Sequence, residues 1–86
     1  MSLIHDISQE ILILFNNMNQ MDYRLDMPLS ESGINSMNFV QFIIAIEDKF
    51  EIDMEDRYLN IENFHNLLEV ADVVVNYVLE KRDCDV

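Results

Sequence analysis

Apolar residues recur at intervals of three and four residues along three stretches of the chain. In an α-helix this interval places side chains on one face, so each stretch predicts a helix that packs against a core. Ser2 precedes the first stretch and is a suitable N-cap, and Ile13 falls on the opposite side of the predicted helix. The stripe that we expect to face the core consists of Ile4, Ile7, Ile11, Leu14, Phe15 and Met18.

The second stretch predicts a helix from Ser36 to about Phe50 whose apolar residues form two groups. The wider group, which can pack against the first helix, consists of Phe39, Phe42, Ile43, Ile46 and Phe50. The narrower group consists of Met37, Val40 and Ile44, and Ser36 and Glu47 lie between the two groups. A second apolar strip is typical either of a docking surface or of a helix covered on most sides. We expect Val40 to be buried and Met37 and Ile44 to be exposed.

The third stretch predicts the last helix. Asn66 is a suitable N-cap, and Glu69, three residues later, completes the pattern of a capping box. Val73 and Tyr77 lie beside the apolar face. The residues that repeat on that face are Leu67, Val70, Ala71, Val74 and Val78.

The helical period is absent between the first two helices, from about Asn19 to Ile34. Pro28 disfavours a helical conformation at Met27, so we predict a loop of about fifteen residues. Its apolar residues are spread along it and should pin it to the core: Tyr23, Leu25, Met27, Leu29 and Ile34.

Acidic and apolar residues alternate after Phe50. The segment contains no glycine for the sharp turn of a calcium-binding EF-hand loop, so we interpret it as a linker with Ile52 and Met54 turned inward. From Arg57 to about Asn63 we predict a short helix. The pattern as a whole predicts an all-α fold, a four-helix bundle with one short third helix, formed by a single domain over residues 1–86.

The composition limits the partners that this domain can bind. The chain has 17 Asp and Glu against 5 Lys and Arg, a formal net charge of -12 at pH 7. Such a charge repels nucleic acids and anionic lipids and attracts basic protein surfaces. The single cysteine excludes an internal disulfide, and the chain shows neither a membrane-spanning run nor a signal peptide pattern. We expect a cytoplasmic monomer that binds neither nucleic acid nor membrane.

The start of the second helix carries the candidate chemistry. Gly33 is the only glycine of the chain and predicts a turn. Asn35 is a preferred N-cap that can accept a hydrogen bond from the amide of Met37 or Asn38, which makes Ser36 the first helical residue. Free amides and the helix dipole suit such a position to a phosphate, including one attached to the serine. The local sequence is also typical of a serine that only helps to cap the helix.

The segment from Ser36 to Ile52 resembles the signature of acyl and peptidyl carrier proteins. In that family an Asp-Ser-Leu motif or a close variant opens the second helix, and apolar residues, a pair of acidic residues, a phenylalanine and an isoleucine follow. The similarity covers roughly residues 21–78, and the family fold is a four-helix bundle with one short helix. The resemblance implies that Ser36 receives 4′-phosphopantetheine from coenzyme A through a phosphopantetheinyl transferase.

Three positions depart from the family pattern. Asn35 replaces the usual Asp and keeps the capping oxygen without its charge, and Met37 replaces Leu with little change in volume. Gln41 stands where many fatty-acid carriers have an acid. The resemblance implies that loading and processing enzymes with basic docking surfaces contact the second helix, and the residues that we expect them to contact are Met37, Val40, Gln41, Ile44, Glu47 and Asp48.

Two functional hypotheses follow. The first is a freestanding carrier protein, not itself an enzyme, that presents acyl or aminoacyl thioesters in peptide, polyketide or fatty-acid biosynthesis. The alternative is a small acidic helical interaction module without a prosthetic group. We do not favour a hydrolase, because neither a histidine nor an acid accompanies Ser36 in a recognisable nucleophile motif, and we find no metal-binding motif.

Overall fold

Residues 3–84 form three α-helices and three short 3₁₀ turns. A computed structural model describes the backbone of residues 3–84 and the side chains of residues 3–80, so the predicted cap at Ser2 lies outside the described residues. The helices are α1 (Leu3–Asn19), α2 (Ser36–Phe50) and α3 (Leu67–Cys84), and residues 3–84 contain no strand. None of the helices in this range is both long enough and apolar enough to cross a membrane.

The core lies where α1 packs against α3 and α2. From α1, Ile7, Ile11 and Phe15 are buried as predicted, and Ile13 is exposed on the other side. The ends of the predicted stripe, Ile4 and Met18, are exposed. The stripe therefore extends beyond the surface that the other helices cover.

Four aromatic and branched residues of α2 complete the core. Phe39, Phe42, Ile43 and Ile46 are fully buried, and the rings of Phe15 and Phe42 meet edge to face at 5.1 Å between centroids. Full burial of each such side chain contributes about 1.5–3 kcal/mol to folding. The prediction that Phe50 belongs to this group is confirmed only in part. Phe50 is half-buried because it is the last residue of α2, after which the chain turns away.

The loop between α1 and α2 is held by hydrogen bonds at its first half. The Asn16 side chain accepts from the Tyr23 amide at 2.8 Å and donates to the Tyr23 carbonyl at 3.2 Å. The buried Tyr23 hydroxyl donates to the carbonyl of Pro28, and its ring packs against Phe15 at 5.7 Å. This arrangement confirms a pinned loop.

The second half of the loop is joined to the start of α3. Leu29, fully buried in a 3₁₀ turn (Leu29–Glu31), donates its amide to the His65 carbonyl at 2.8 Å. The Leu68 amide donates to the Leu25 carbonyl at 3.3 Å. Met27 is exposed, so the prediction that it helps to pin the loop is wrong.

The connection between α2 and α3 differs from the predicted short helix. Two 3₁₀ turns, Asp56–Leu59 and Ile61–Asn63, occupy this segment, with Asn60 extended between them. The Asn60 side chain accepts from the Glu62 amide at 3.0 Å, a local bond that competes with continuous helix. The described chain therefore has three α-helices rather than four. Met54 is buried and Ile52 half-buried, as expected for the linker.

A variant of the predicted capping box begins α3. The Asn66 side chain accepts from the Glu69 amide at 3.1 Å, as predicted. The Glu69 carboxylate accepts from the amide of His65, at 2.9 Å, rather than from that of Asn66. The predicted face is buried at Leu67, Val70, Ala71 and Val74.

Candidate functional site

The turn before α2 depends on the backbone freedom of Gly33. Its φ angle is +79°, a conformation that L side chains rarely adopt. Apart from Gly33 and its two chain neighbours, no heavy atom of the described residues lies within 4 Å of the position that a Cβ would take. Glycine is therefore favoured here by backbone conformation and not by space. Ser32 supports the same turn, since its hydroxyl donates to the Leu29 carbonyl at 2.6 Å.

Asn35 fixes the first turn of α2. Its backbone is extended (φ −87°, ψ 169°), and its side-chain oxygen accepts from the Asn38 amide at 2.8 Å. Its carbonyl accepts from the Phe39 amide at 3.1 Å, which is the first main-chain bond of the helix. The predicted N-cap is confirmed, with Asn38 as the donor.

Ser36 is the first residue of α2 and is exposed. The first amides of a helix have no carbonyl acceptor within it. Because Asn35 accepts from Asn38, the amides of Ser36 and Met37 are left for an outside acceptor. Within residues 3–80, the Ser36 hydroxyl makes no side-chain hydrogen bond. The site therefore presents an accessible hydroxyl beside two amides and the positive end of the helix dipole.

Ser36 differs from the other serines in the described part of the chain. Ser8 is buried within α1, and the hydroxyl of Ser32 is engaged within the loop. Ser30 is exposed but lies in a three-residue 3₁₀ turn. Ser36 alone among these four residues combines exposure with the first turn of an α-helix.

An apolar strip extends along α2 from the residue after the serine. The side chains of Met37 and Ile44 are 65% and 53% exposed, as predicted, and Gln41 between them is also exposed. Val40 is half-buried instead of buried, because around the circumference of α2 it lies between the buried Ile43 and the exposed Ile44. The strip thus remains open to a partner.

Charge is distributed unevenly along α2. Residues 36–46 contain no Asp, Glu, Lys or Arg, and the first carboxylates are those of Glu47 and Asp48. At 1.5 Å per residue these lie about 17 Å along the helix from Ser36. The serine end of the helix is therefore neutral and the far end acidic.

Glu47 has a structural contact that sequence reasoning missed. Its carboxylate accepts from the Met54 amide at 2.7 Å, and its carbonyl accepts from the Ile52 amide at 3.0 Å. These bonds hold the linker against the end of α2, where Glu51 takes a left-handed conformation. Asp48 is exposed beside it. No periodicity in the sequence could reveal a bond between a helix side chain and a linker amide seven residues away.

Comparison with known families adds to this geometry. A model of the family described as "phosphopantetheine attachment site" matches residues 17–74, about two thirds of the chain, with Ser36 inside the match. Neither the curated proteins nor the solved structures that were compared with the chain gave a match. The chain therefore belongs to the phosphopantetheine attachment family, in agreement with its resemblance to acyl and peptidyl carrier proteins. The family cofactor is covalently attached 4′-phosphopantetheine, and the family role is that of a carrier.

The residues at the start of α2 fit this cofactor. Its link to a protein is a phosphate ester, which needs a reachable hydroxyl and donors for the phosphate oxygens. Ser36 has a reachable hydroxyl, and the backbone amides of Ser36 and Met37 can donate hydrogen bonds to the phosphate oxygens. In contrast, no three His, Cys, Asp or Glu side chains among the described residues form a group that could hold a metal ion.

Proposed function

We propose that this protein is a freestanding carrier protein, without catalytic activity of its own, that bears its 4′-phosphopantetheine on Ser36. The observation that supports this most directly is the exposed hydroxyl of Ser36 at the first turn of α2, within the segment that matches the family. The Asn35 cap supports the same assignment, because it fixes the helix start and leaves two amides beside the hydroxyl.

The chain supplies a nucleophile and its orientation, while an external transferase supplies the activation. The Ser36 oxygen attacks the pyrophosphate of coenzyme A, the new oxygen–phosphorus bond replaces the pyrophosphate bond, and adenosine 3′,5′-bisphosphate leaves. In this proposal the transferase also supplies the base that takes the proton of the Ser36 hydroxyl. Once bound, the cofactor supplies a thiol that carries an acyl or aminoacyl group as a thioester.

The partners are a phosphopantetheinyl transferase and the enzymes that load and process the thioester, in a cytoplasmic pathway of peptide, polyketide or fatty-acid type. Near Ser36 these partners contact the strip of Met37, Val40 and Ile44 and the side-chain amide of Gln41. This part of their surface is therefore apolar. Basic groups of the same partners reach Asp48 and the outer side of Glu47 at the far end of α2.

Intact mass spectrometry tests the proposal. The purified protein is incubated with coenzyme A and a broad-specificity phosphopantetheinyl transferase, and the modified peptide is then located by fragmentation. We expect the mass of one phosphopantetheine on the peptide that contains Ser36. Modification at Ser30, or no modification with a panel of transferases, would contradict the assignment.

A further inference from the structure

A groove runs along one side of α3, away from the serine. Two cavities of about 660 Å³ and about 620 Å³ share Tyr58 and Val73 as wall residues, so they adjoin along α3, and we call the two together the groove. The positions that line it on α3 extend from Asn66, at the helix cap, to Glu80. Fourteen steps of 1.5 Å give the groove a length of about 21 Å.

The walls of this groove carry exposed apolar side chains from two helices. Ile4 of α1 and Leu68 of α3 lie at one end, 38% and 42% exposed, and Leu79 lies at the other end, 44% exposed. The half-buried rings of Tyr58 and Tyr77 lie between these ends and meet edge to face at 6.1 Å. Exposed aliphatic side chains that converge on one concave surface are typical of an interaction site.

The charge of the groove indicates the chemistry of its partner. Among the lining residues whose side chains the structure describes, Arg57 is the single cation. It already pairs with Glu55 at 3.0 Å, and its guanidinium carbon lies 4.8 Å from the centre of the Tyr58 ring. The carboxylates that line the groove are those of Asp53, Glu55, Glu69, Asp72 and Glu80. A surface that combines exposed apolar side chains with several carboxylates is complementary to a segment that is apolar on one side and basic on the other.

The length and the surrounding structure favour a helical segment. About 21 Å accommodates a helix of about 14 residues, and helix-in-groove binding uses apolar anchors at helical spacing. Residues 3–84 contain no strand whose edge a partner strand could extend. We propose that this groove binds a basic amphipathic helix of a partner protein, which holds the carrier while the Ser36 face of α2 stays free for the transferase and the processing enzymes.

This surface is separate from the one used in the proposed carrier function. It contains neither Ser36 nor any residue of the apolar strip on α2. Ile4 and the lining residues from Asn76 to Glu80 also lie outside the segment that matches the family. The two assignments can therefore fail independently.

Fluorescence anisotropy with a defined peptide tests the groove. The probe is a labelled synthetic helix of about 14 residues with leucines on one face and lysines on the other, and a matched peptide carries glutamates in place of the lysines. We expect the basic peptide to bind and the acidic one not to bind. Leu68→Gln and Asp72→Lys should each raise the Kd about tenfold, since they remove an apolar anchor and a complementary charge.

Matched variants outside the groove serve as controls. Ile13→Gln changes another exposed aliphatic residue, and Glu10→Lys makes the same charge change on α1. Both should keep the Kd within about twofold of the wild type, since peripheral charges at a distance are screened. If Glu10→Lys weakens binding as much as Asp72→Lys, net charge alone attracts the peptide and the groove is not a site. Equal weakening by Met37→Ala and Leu68→Gln would place the peptide on α2 and also overturn the proposal.

Folding and loading are measured on the same variants. Each variant is melted by circular dichroism and tested for phosphopantetheine transfer to Ser36, and we expect the groove variants to load like the wild type. Leu68→Ala, a milder change, replaces Leu68→Gln if the latter unfolds, and it should still raise the Kd severalfold. Unchanged affinity in a folded Leu68→Ala variant would contradict the proposal, whatever the outcome of the loading assay.

Discussion

Asn35 determines where α2 begins, and through that the position of Ser36. Its side chain removes one unsatisfied amide from the helix end, that of Asn38. The Asn35 side chain provides this cap without the negative charge of the aspartate that usually precedes the serine in acyl and peptidyl carrier proteins. The stability of the helix start and the charge near the serine are therefore separable in this protein.

Substitutions at Asn35 should separate the two effects. Asn35→Ala removes the cap and should cost about 1 kcal/mol in the free energy of unfolding, whereas Asn35→Asp keeps the cap and adds a favourable charge at the positive end of the helix. Chemical denaturation at neutral pH measures both changes. Asn17→Ala, at an exposed position within α1, is the control and should not destabilise the protein. Equal stability of Asn35→Ala and the wild type would argue against the cap.

Tyr23 should give the fold a dependence on alkaline pH. Burial, and secondarily the carboxylate of Glu31, raises the pKa of the Tyr23 hydroxyl above its ordinary value of 10.0. The folded chain therefore holds this proton more tightly than the unfolded chain, and the resulting stability is complete below the ordinary pKa and is lost as pH rises through the raised pKa.

Tyr23→Phe isolates this contribution. The variant should be less stable at neutral pH by about 1 kcal/mol, because it loses the hydrogen bond to the Pro28 carbonyl. Above the ordinary tyrosine pKa its stability should fall less steeply with pH than that of the wild type. Denaturation curves collected at several alkaline pH values measure the slope. Parallel slopes for the two proteins would show that Tyr23 does not titrate with unfolding.

At the scale of elements, α2 has one side in the core and one side open to partners. Met37→Ala and Ile44→Ala should change the melting temperature little, because both side chains are exposed, but they should impair transfer to partner enzymes. Phe42→Ala should cost about 3–5 kcal/mol by opening a cavity in the core. Thermal melts measure the loss of stability, and a loading assay measures the loss of transfer, in each of the three variants. If Met37→Ala melts as early as Phe42→Ala, the strip is part of the core.

The acidic end of α2 should influence partner association more than folding. Asp48→Lys should slow transfer with little loss of stability, and added salt should slow the wild type in the same way, because exposed charges mainly steer association. Reversing Glu47 should also destabilise the protein, since its carboxylate holds the Met54 amide. Transfer rates measured over a range of ionic strength test the effect of Asp48. If the transfer rates change neither with Asp48→Lys nor with salt, the acidic end of α2 does not steer partners and contributes only to solubility.

Local signals in the sequence predicted the elements that local interactions determine. The bounds of α2 and its cap followed from Asn35, the apolar period and the single glycine, since each acts on residues within one turn of itself. The prediction of a short third helix was wrong, because the Asn60 side chain accepts a hydrogen bond from the Glu62 amide and interrupts the helix. The spacing of apolar residues does not show when a side chain competes with helical hydrogen bonds in this way.

At the scale of the whole molecule, the groove along α3 could not be predicted from the sequence. Its residues come from α1, from the segment between α2 and α3 with its 3₁₀ turns, and from α3, and they become neighbours only when the helices pack. Leu68 and Leu79 fall beside the apolar face of α3 in a helical projection, and nothing in their spacing shows that Ile4 lies opposite Leu68. The open side of α2 was predictable because all of its residues belong to a single helix.

The attachment of phosphopantetheine to Ser36 is the central claim, and one pair of variants tests it most directly. Ser36→Ala and Ser30→Ala are each incubated with coenzyme A and a broad-specificity transferase, and their intact masses are compared with that of the wild type. Both variants remove one exposed hydroxyl, and neither should alter the circular dichroism melt. We predict that Ser30→Ala gains the mass of one phosphopantetheine and that Ser36→Ala gains none. A mass gain in folded Ser36→Ala would contradict the account.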